Sequence, residues 1–178
     1  LSDIVEKIRH DFGINITTGH IRGSKTRGQY NRKDQGIRSK IANDLPTVAH
    51  ELGHHLDNVY DLTKDLPPDL RAELTENLDE GMKSAYPKKK WVTEGLAEYM
   101  RKFLQNRETA AIDYPKFTVY FLSKMQNTDG PLLEQLADEV NAYYSLDAET
   151  AASSIRLGEE GGKDFRTLKE KIKDVGDA

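Results

Sequence analysis

Asp44-Leu45-Pro46-Thr47-Val48-Ala49-His50-Glu51-Leu52-Gly53-His54-His55-Leu56-Asp57-Asn58-Val59 is the stretch on which the reading of this chain turns. Leu45, Val48, Ala49, Leu52, Leu56 and Val59 recur at intervals of three and four, the spacing of one face of an α-helix. Asp44 can cap that helix, and Pro46 is tolerated in a first turn, where its missing N–H has no intrahelical partner to lose. Three of the five histidines, His50, His54 and His55, fall inside it. Residues four apart on a helix differ by about 40° around the axis, so the His50 and His54 imidazoles project from one face and can meet one cation. Glu51, one position on, is turned too far round to ligate but can reach a water held beside the ion. The pattern therefore supplies two metal ligands and one general base on a rigid scaffold.

HExxH at this spacing points to zinc. A catalytic zinc takes three protein ligands and keeps a fourth position open. The chain has no cysteine, so the third ligand is His, Asp or Glu. His10 and His20 precede the motif, and no histidine follows it at the spacing of the extended HExxHxxGxxH form. The best candidate is Glu94 in Trp91-Val92-Thr93-Glu94-Gly95-Leu96-Ala97-Glu98-Tyr99-Met100, with 39 residues between it and His54. Glu94 and Glu98 share a helical face. One can bind metal while the other accepts an N–H from a ligand imidazole and sets its tautomer. Two adjacent buried acids are costly without a cation nearby. Asp57 is a second candidate for steadying an imidazole.

Working outward, the chain of 178 residues is long enough for one domain with its own core. Its 37% apolar and 31% charged residues describe a folded domain with a large solvated surface, and a net charge of -4 argues against a globally basic nucleic-acid binder. No apolar run approaches bilayer length and no signal-peptide pattern opens the chain, which points to a cytoplasmic location and no membrane partner. The chain begins with Leu1, as expected of a piece of a larger polypeptide. Ser2–Gly13 reads as a helix with Ser2 as cap, and Ile14–Thr17 as a strand. Short strand-like pieces follow at His20–Arg22, Gln29–Asn31 and Gly36–Arg38, together a small antiparallel sheet. After the His50 helix, one helix is expected from Pro67 to Pro87, then others over 92–104, 115–126, 131–144 and 147–157. The expected organisation is α+β: a single domain over 1–157, then a linker and charged tail helix over 158–178.

Trp91-Val92-Thr93-Glu94-Gly95-Leu96-Ala97 resembles the glutamate-ligand helix of gluzincin peptidases, and Glu94–Arg101 is similar to the corresponding helix of the lethal-factor type. The chain also looks like the compact HExxH domains of large phage and mobile-element proteins, in which a Pro-x-Phe element, here Pro115-Lys116-Phe117, follows the glutamate helix. The resemblance covers about residues 28–125, with its sharp motifs in two short segments. It implies a zincin-like, minimal gluzincin fold, in which a small, mostly antiparallel sheet lines the cleft with its edge strand and the HExxH and glutamate helices carry the metal. It also implies a zinc metalloendopeptidase that acts on a peptide or protein substrate, with Tyr30 near the cleft and Tyr86 as donor to the oxyanion.

Three rival readings are weighed beside it. A catalytically inactive zinc-binding interaction domain within a larger protein is disfavoured by Glu51, which zinc binding alone does not require. A carboxylate-bridged di-iron site needs a second Glu-x-x-His, and no other histidine has Glu three residues before it. Nucleic-acid binding rests on the basic strip Arg22, Lys25, Arg27, Arg32, Lys33, Arg38 and Lys40, set against the single acid Asp34, which reads more simply as solvated turns.

Overall fold

Glycine at position 13 takes φ 62°, and there the first helix, α1 (Ser2–Phe12), stops. Val5 and Ile8 are its buried residues, and the capping position is Leu1, so Ser2 lies inside the helix rather than at its cap. The computed structural model describes residues 1–22 and 26–160, the stretch 147–160 as helix backbone. Strands β1 (Asn15–Thr18), β2 (Gly28–Asn31) and β3 (Gly36–Ser39) form one sheet in the order β1-β3-β2. β2 pairs antiparallel with β3, but β1 pairs parallel with it, Ile16 beside Ile37. The sheet is thus mixed, not mostly antiparallel. Alternating apolar residues say which face of a strand is buried but not which way its neighbour runs. Here the chain reverses twice between β1 and β3, which makes those two strands parallel. His20–Arg22 is not a strand.

The helical body follows. In α2 (Leu45–Tyr60) the Asp44 carboxylate accepts from the Thr47 N–H at 3.4 Å and its hydroxyl at 2.7 Å. Leu45, Val48, Ala49, Leu52 and Leu56 are buried as the spacing predicts, whereas Val59 is 44% exposed, beyond the end of the stripe. The single helix expected from Pro67 to Pro87 is two, α3 (Pro68–Glu76) and α4 (Glu80–Ala85). Asn77 donates its side-chain amide to the Glu73 and Asp113 carbonyls, and Asp79 caps the new helix by accepting from the Met82 N–H at 2.7 Å. Leu70, Leu74 and Leu78 keep their apolar spacing across the break because all three face the same core.

A 3-10 turn over Lys88–Lys90 leads into α5 (Trp91–Gln105). Helix α6 (Arg107–Asp113), absent from the expected elements, is capped by the Asn106 side chain. It is followed by α7 (Pro115–Met125), whose first N–H groups, on Lys116 and Phe117, are met by the Glu73 carboxylate at 3.2 and 2.6 Å. The last helix, α8 (Gly130–Glu160), is continuous where two were expected.

Tyr99 and Phe103 of α5 with Tyr114, Phe117 and Phe121 make a fully buried aromatic cluster with edge-to-face contacts at 4.8–5.4 Å around Tyr99. The chain divides into two compact units, Leu1–Asp138 and Glu139–Ala178. The first holds every element up to the opening turns of α8. In the second, the described part is the rest of α8, where Tyr143 and Tyr144 meet edge to face at 5.5 Å. Residues 161–178, which include the expected charged tail and the end of the expected linker, lie outside the described residues. Among the described residues no helix is long and apolar enough to cross a membrane.

Candidate metal centre

Helices α2 and α5 touch through backbone. A Cβ added at Gly53 would lie 2.7 Å from the Ala97 Cα, closer than real Cβ atoms tolerate, and 3.1 Å from the Met100 Cβ, which is tight. This contact between small residues lets the glutamate-bearing face of α5 reach the histidines of α2. Glu94 Oε2 lies 3.1 Å from His50 Nε2, and Glu94 Oε1 lies 3.3 Å from His54 Nε2. The three ligand atoms all fall within 4.8 Å of one another. The two carboxylate–imidazole contacts run to different oxygens of Glu94, and each is close to the spacing of about 3.3–3.4 Å that separates two donors bound tetrahedrally at about 2.0–2.1 Å. The His50–His54–Glu94 group can therefore hold a metal ion.

Glu98 closes the arrangement from behind. Its Oε1 accepts from His50 Nδ1 at 2.9 Å, which leaves Nε2 as the nitrogen facing the shared point. The carboxylate is itself gripped by Arg101, with Nη2 donating to Oε2 at 2.7 Å and Nε at 3.1 Å. Asp57 does not join them. It is buried, and it accepts from the Thr63 N–H and hydroxyl at 2.8–2.9 Å, tying down the loop after α2. An acid three residues after His54 is one helical turn on, and here the turning chain reaches it first.

The electrostatics follow from these contacts. Burial alone would push the His50 imidazole down, but the hydrogen bonds to Glu94 and Glu98 outweigh it and raise its pKa to about 9. Burial works against the charged form of Glu94, yet His50 and His54 together bring it down to about 2. Glu98 is likewise held at about 2 against its burial by His50 and Arg101. Glu51 is 7% exposed, and burial raises its carboxyl although both imidazoles oppose the shift. A raised carboxyl is suited to taking up a proton near neutral pH.

No protein-family model, curated protein or solved structure matches this chain.

Strand β2 runs beside the metal group as a sheet edge. A Cβ at Gly28 would lie 2.4 Å from the Thr47 methyl and 3.2 Å from Glu51 Oε1, so glycine lets the strand pass this close to Glu51. Further along β2, the Tyr30 hydroxyl accepts from the Asn58 amide at 3.2 Å and donates to His55 Nδ1 at 2.9 Å. Burial lowers the His55 imidazole, with Asp129 opposing, so it is neutral and a good acceptor. His55 thus fixes the strand to the helix and is not a ligand. Tyr86 ends α4 and lines the cleft with His50 and Glu51. Its carbonyl accepts from Trp91 Nε1 at 3.0 Å, which locks it to the start of α5. Burial first, then the carboxylates Glu94, Glu51 and Glu98, raise its phenol, which stays protonated and able to donate.

Sequence reasoning missed the roles of Arg101, Gly28, Gly53 and the His55–Tyr30–Asn58 link. Gly53 and Ala97 left a signal, as small residues inside the two motifs that face each other. The partners of Arg101 and Tyr30 had none.

Proposed function

We propose that this chain is a zinc-dependent peptidase of the gluzincin type with a zincin-like fold, in which His50, His54 and Glu94 bind zinc and Glu51 is the general base. The observation that carries the reading is the meeting of these three side chains beside a buried, non-ligating Glu51 under the free edge of β2. Two imidazoles and a carboxylate with no cysteine suit a zinc that keeps a position open for chemistry.

When bound, zinc lowers the pKa of a water towards about 7 and polarises the scissile carbonyl. The edge of β2 that faces away from β3 is where an extended peptide would add as a further strand, held straight across the cleft. Glu51 takes the proton of the water as its oxygen adds to the carbonyl carbon, and then passes that proton to the amine nitrogen as the carbonyl re-forms and the bond from carbon to nitrogen breaks. Tyr86, protonated and beside the metal group, donates to the oxygen on which negative charge develops. Glu98 and Arg101 keep His50 in the tautomer the metal needs.

Glu51→Gln supplies the test. Zinc content by elemental analysis should match the unaltered chain, while hydrolysis of a peptide library falls by at least about a thousandfold. Equal turnover by the variant would remove Glu51 from the mechanism. Zinc binding with no hydrolysis by either protein would leave a metal site of structural use only.

A further inference from the structure

Two cavities of about 500 and 470 Å³ flank the metal group, and they differ in charge. In the first, Arg27 and Arg101 face Asp44, Glu51 and Glu98, and Arg101 is already committed to Glu98. In the second, between β2 and the start of α5, the cations are Arg22, Arg32 and Lys90. Among the described residues its only acids are Glu51 and Glu94, which belong to the base and the ligand set of the proposed function. Arg22, Arg32 and Lys90 are exposed and form no ion pair with a described residue. They come from three separate places: the segment after β1, the turn after β2 and the turn before α5. On a chain of net charge -4, three cations with no ion-pair partner among the described residues gather around one cavity that has two acids, Glu51 and Glu94.

We propose that Arg22, Arg32 and Lys90 form a recognition rim that selects acidic side chains on one flank of the cleaved bond. The proposal rests on the peptidase reading for its setting, since the same cavity contains His50, Glu51, His54 and Glu94. An extended peptide along β2 carries every second side chain to the same side, and long basic residues on the cavity wall can follow carboxylates at such spacing. Each exposed contact is weak by itself, about two- to threefold in affinity, so three acting together amount to roughly tenfold at low salt. A polyanion such as single-stranded DNA also carries negative charge. The rim nevertheless surrounds a cavity of about 470 Å³ over Glu51, with no aromatic residue among its described lining but Tyr30 and Tyr86 for a nucleobase to stack on, and so fits a peptide better.

The test is a binding measurement that does not depend on turnover. Fluorescein-labelled decapeptides of alanine with three glutamates, three glutamines or three lysines are titrated into the zinc-supplemented full chain carrying Glu51→Gln, with anisotropy as the readout. The glutamate peptide should bind about tenfold more tightly than the glutamine peptide at about 50 mM salt and lose that margin at about 1 M. Arg32→Gln combined with Lys90→Gln should reduce the margin to about two- to threefold, the strength of the one remaining contact. Equal binding of the glutamate and glutamine peptides overturns the proposal. So does a preference left undiminished in the double variant, or tighter binding of a short single-stranded DNA through the same residues. Turnover by the unaltered chain separates the two readings. Cleavage indifferent to acidic residues removes the rim and leaves the peptidase, whereas rim-dependent binding without cleavage removes the peptidase and leaves the rim.

Discussion

Gly53→Ala should loosen the metal without altering any ligand. The added methyl would sit 2.7 Å from the Ala97 Cα, and that neighbour is backbone, which cannot swing aside. Ordinary contact begins at 3.4 Å, so α2 and α5 must part by about 0.7 Å at their crossing. His50 and His54 ride on one helix and Glu94 on the other, so the separation enters the ligand geometry directly. Metal–ligand distances tolerate about 0.2 Å, so a shift of this size should weaken binding roughly tenfold to a hundredfold, about 1.4–2.7 kcal/mol. Overpacking costs about 1–3 kcal/mol of fold stability, offset by about 1 kcal/mol because alanine is the better helix former, for a net loss of about 0–2 kcal/mol. Zinc affinity would be measured by competition with a chromophoric chelator, and stability by urea denaturation with and without zinc. Gly81→Ala is the control, since the nearest atom to its new methyl is the end of the Asp79 side chain at 3.3 Å, and it should leave affinity unchanged. If Gly53→Ala binds zinc as tightly as the unaltered chain and gains stability from helix propensity alone, the close crossing does not set the metal geometry.

The pH dependence has a sign that follows from the two shifted groups. In metal-free protein, the His50 contribution is complete below 6.5 and is lost as pH rises through about 9, and the Glu94 contribution is complete above 4.5 and is lost as pH falls through about 2. These two contributions to the stability of metal-free protein should therefore be jointly largest between 4.5 and 6.5, while zinc affinity should rise about tenfold per pH unit up to about 9 because the metal must displace the His50 proton. A flat affinity between pH 6 and 8 by isothermal titration would contradict the double hydrogen bonding of His50. Asp57→Ala leaves the Thr63 N–H unmet and should cost about 1–3 kcal/mol in urea denaturation with zinc affinity unaltered, and a loss of affinity instead would return Asp57 to the metal site. Tyr86→Phe should lower kcat about a hundredfold or more at constant zinc content, and an unchanged kcat would take the oxyanion role from this residue.

The aromatic and aliphatic spacing of α2 and α5 could be read without coordinates because a helix repeats every 3.6 residues whatever surrounds it. The caps at Asp44 and Gly13 are local in the same sense. The break between α3 and α4 was harder to see. The spacing of Leu70, Leu74 and Leu78 continues through it, and the interruption depends on Asn77 reaching the distant Asp113 carbonyl. Ile16 and Ile37 marked two buried strand faces but not the parallel pairing between them.

By itself, the order of amino acids determined that His50 and His54 share a helix face with Glu51 beside them, and that Glu94 and Glu98 share another. These are consequences of backbone geometry within single helices. Only the packed chain decided that Glu94 meets both imidazoles, that Glu98 and not Asp57 holds His50, and that Arg22, Arg32 and Lys90 gather at one cavity. Such meetings join residues tens of positions apart. They depend on how closely α2 and α5 approach at Gly53 and Ala97, and no periodicity along the chain carries that distance.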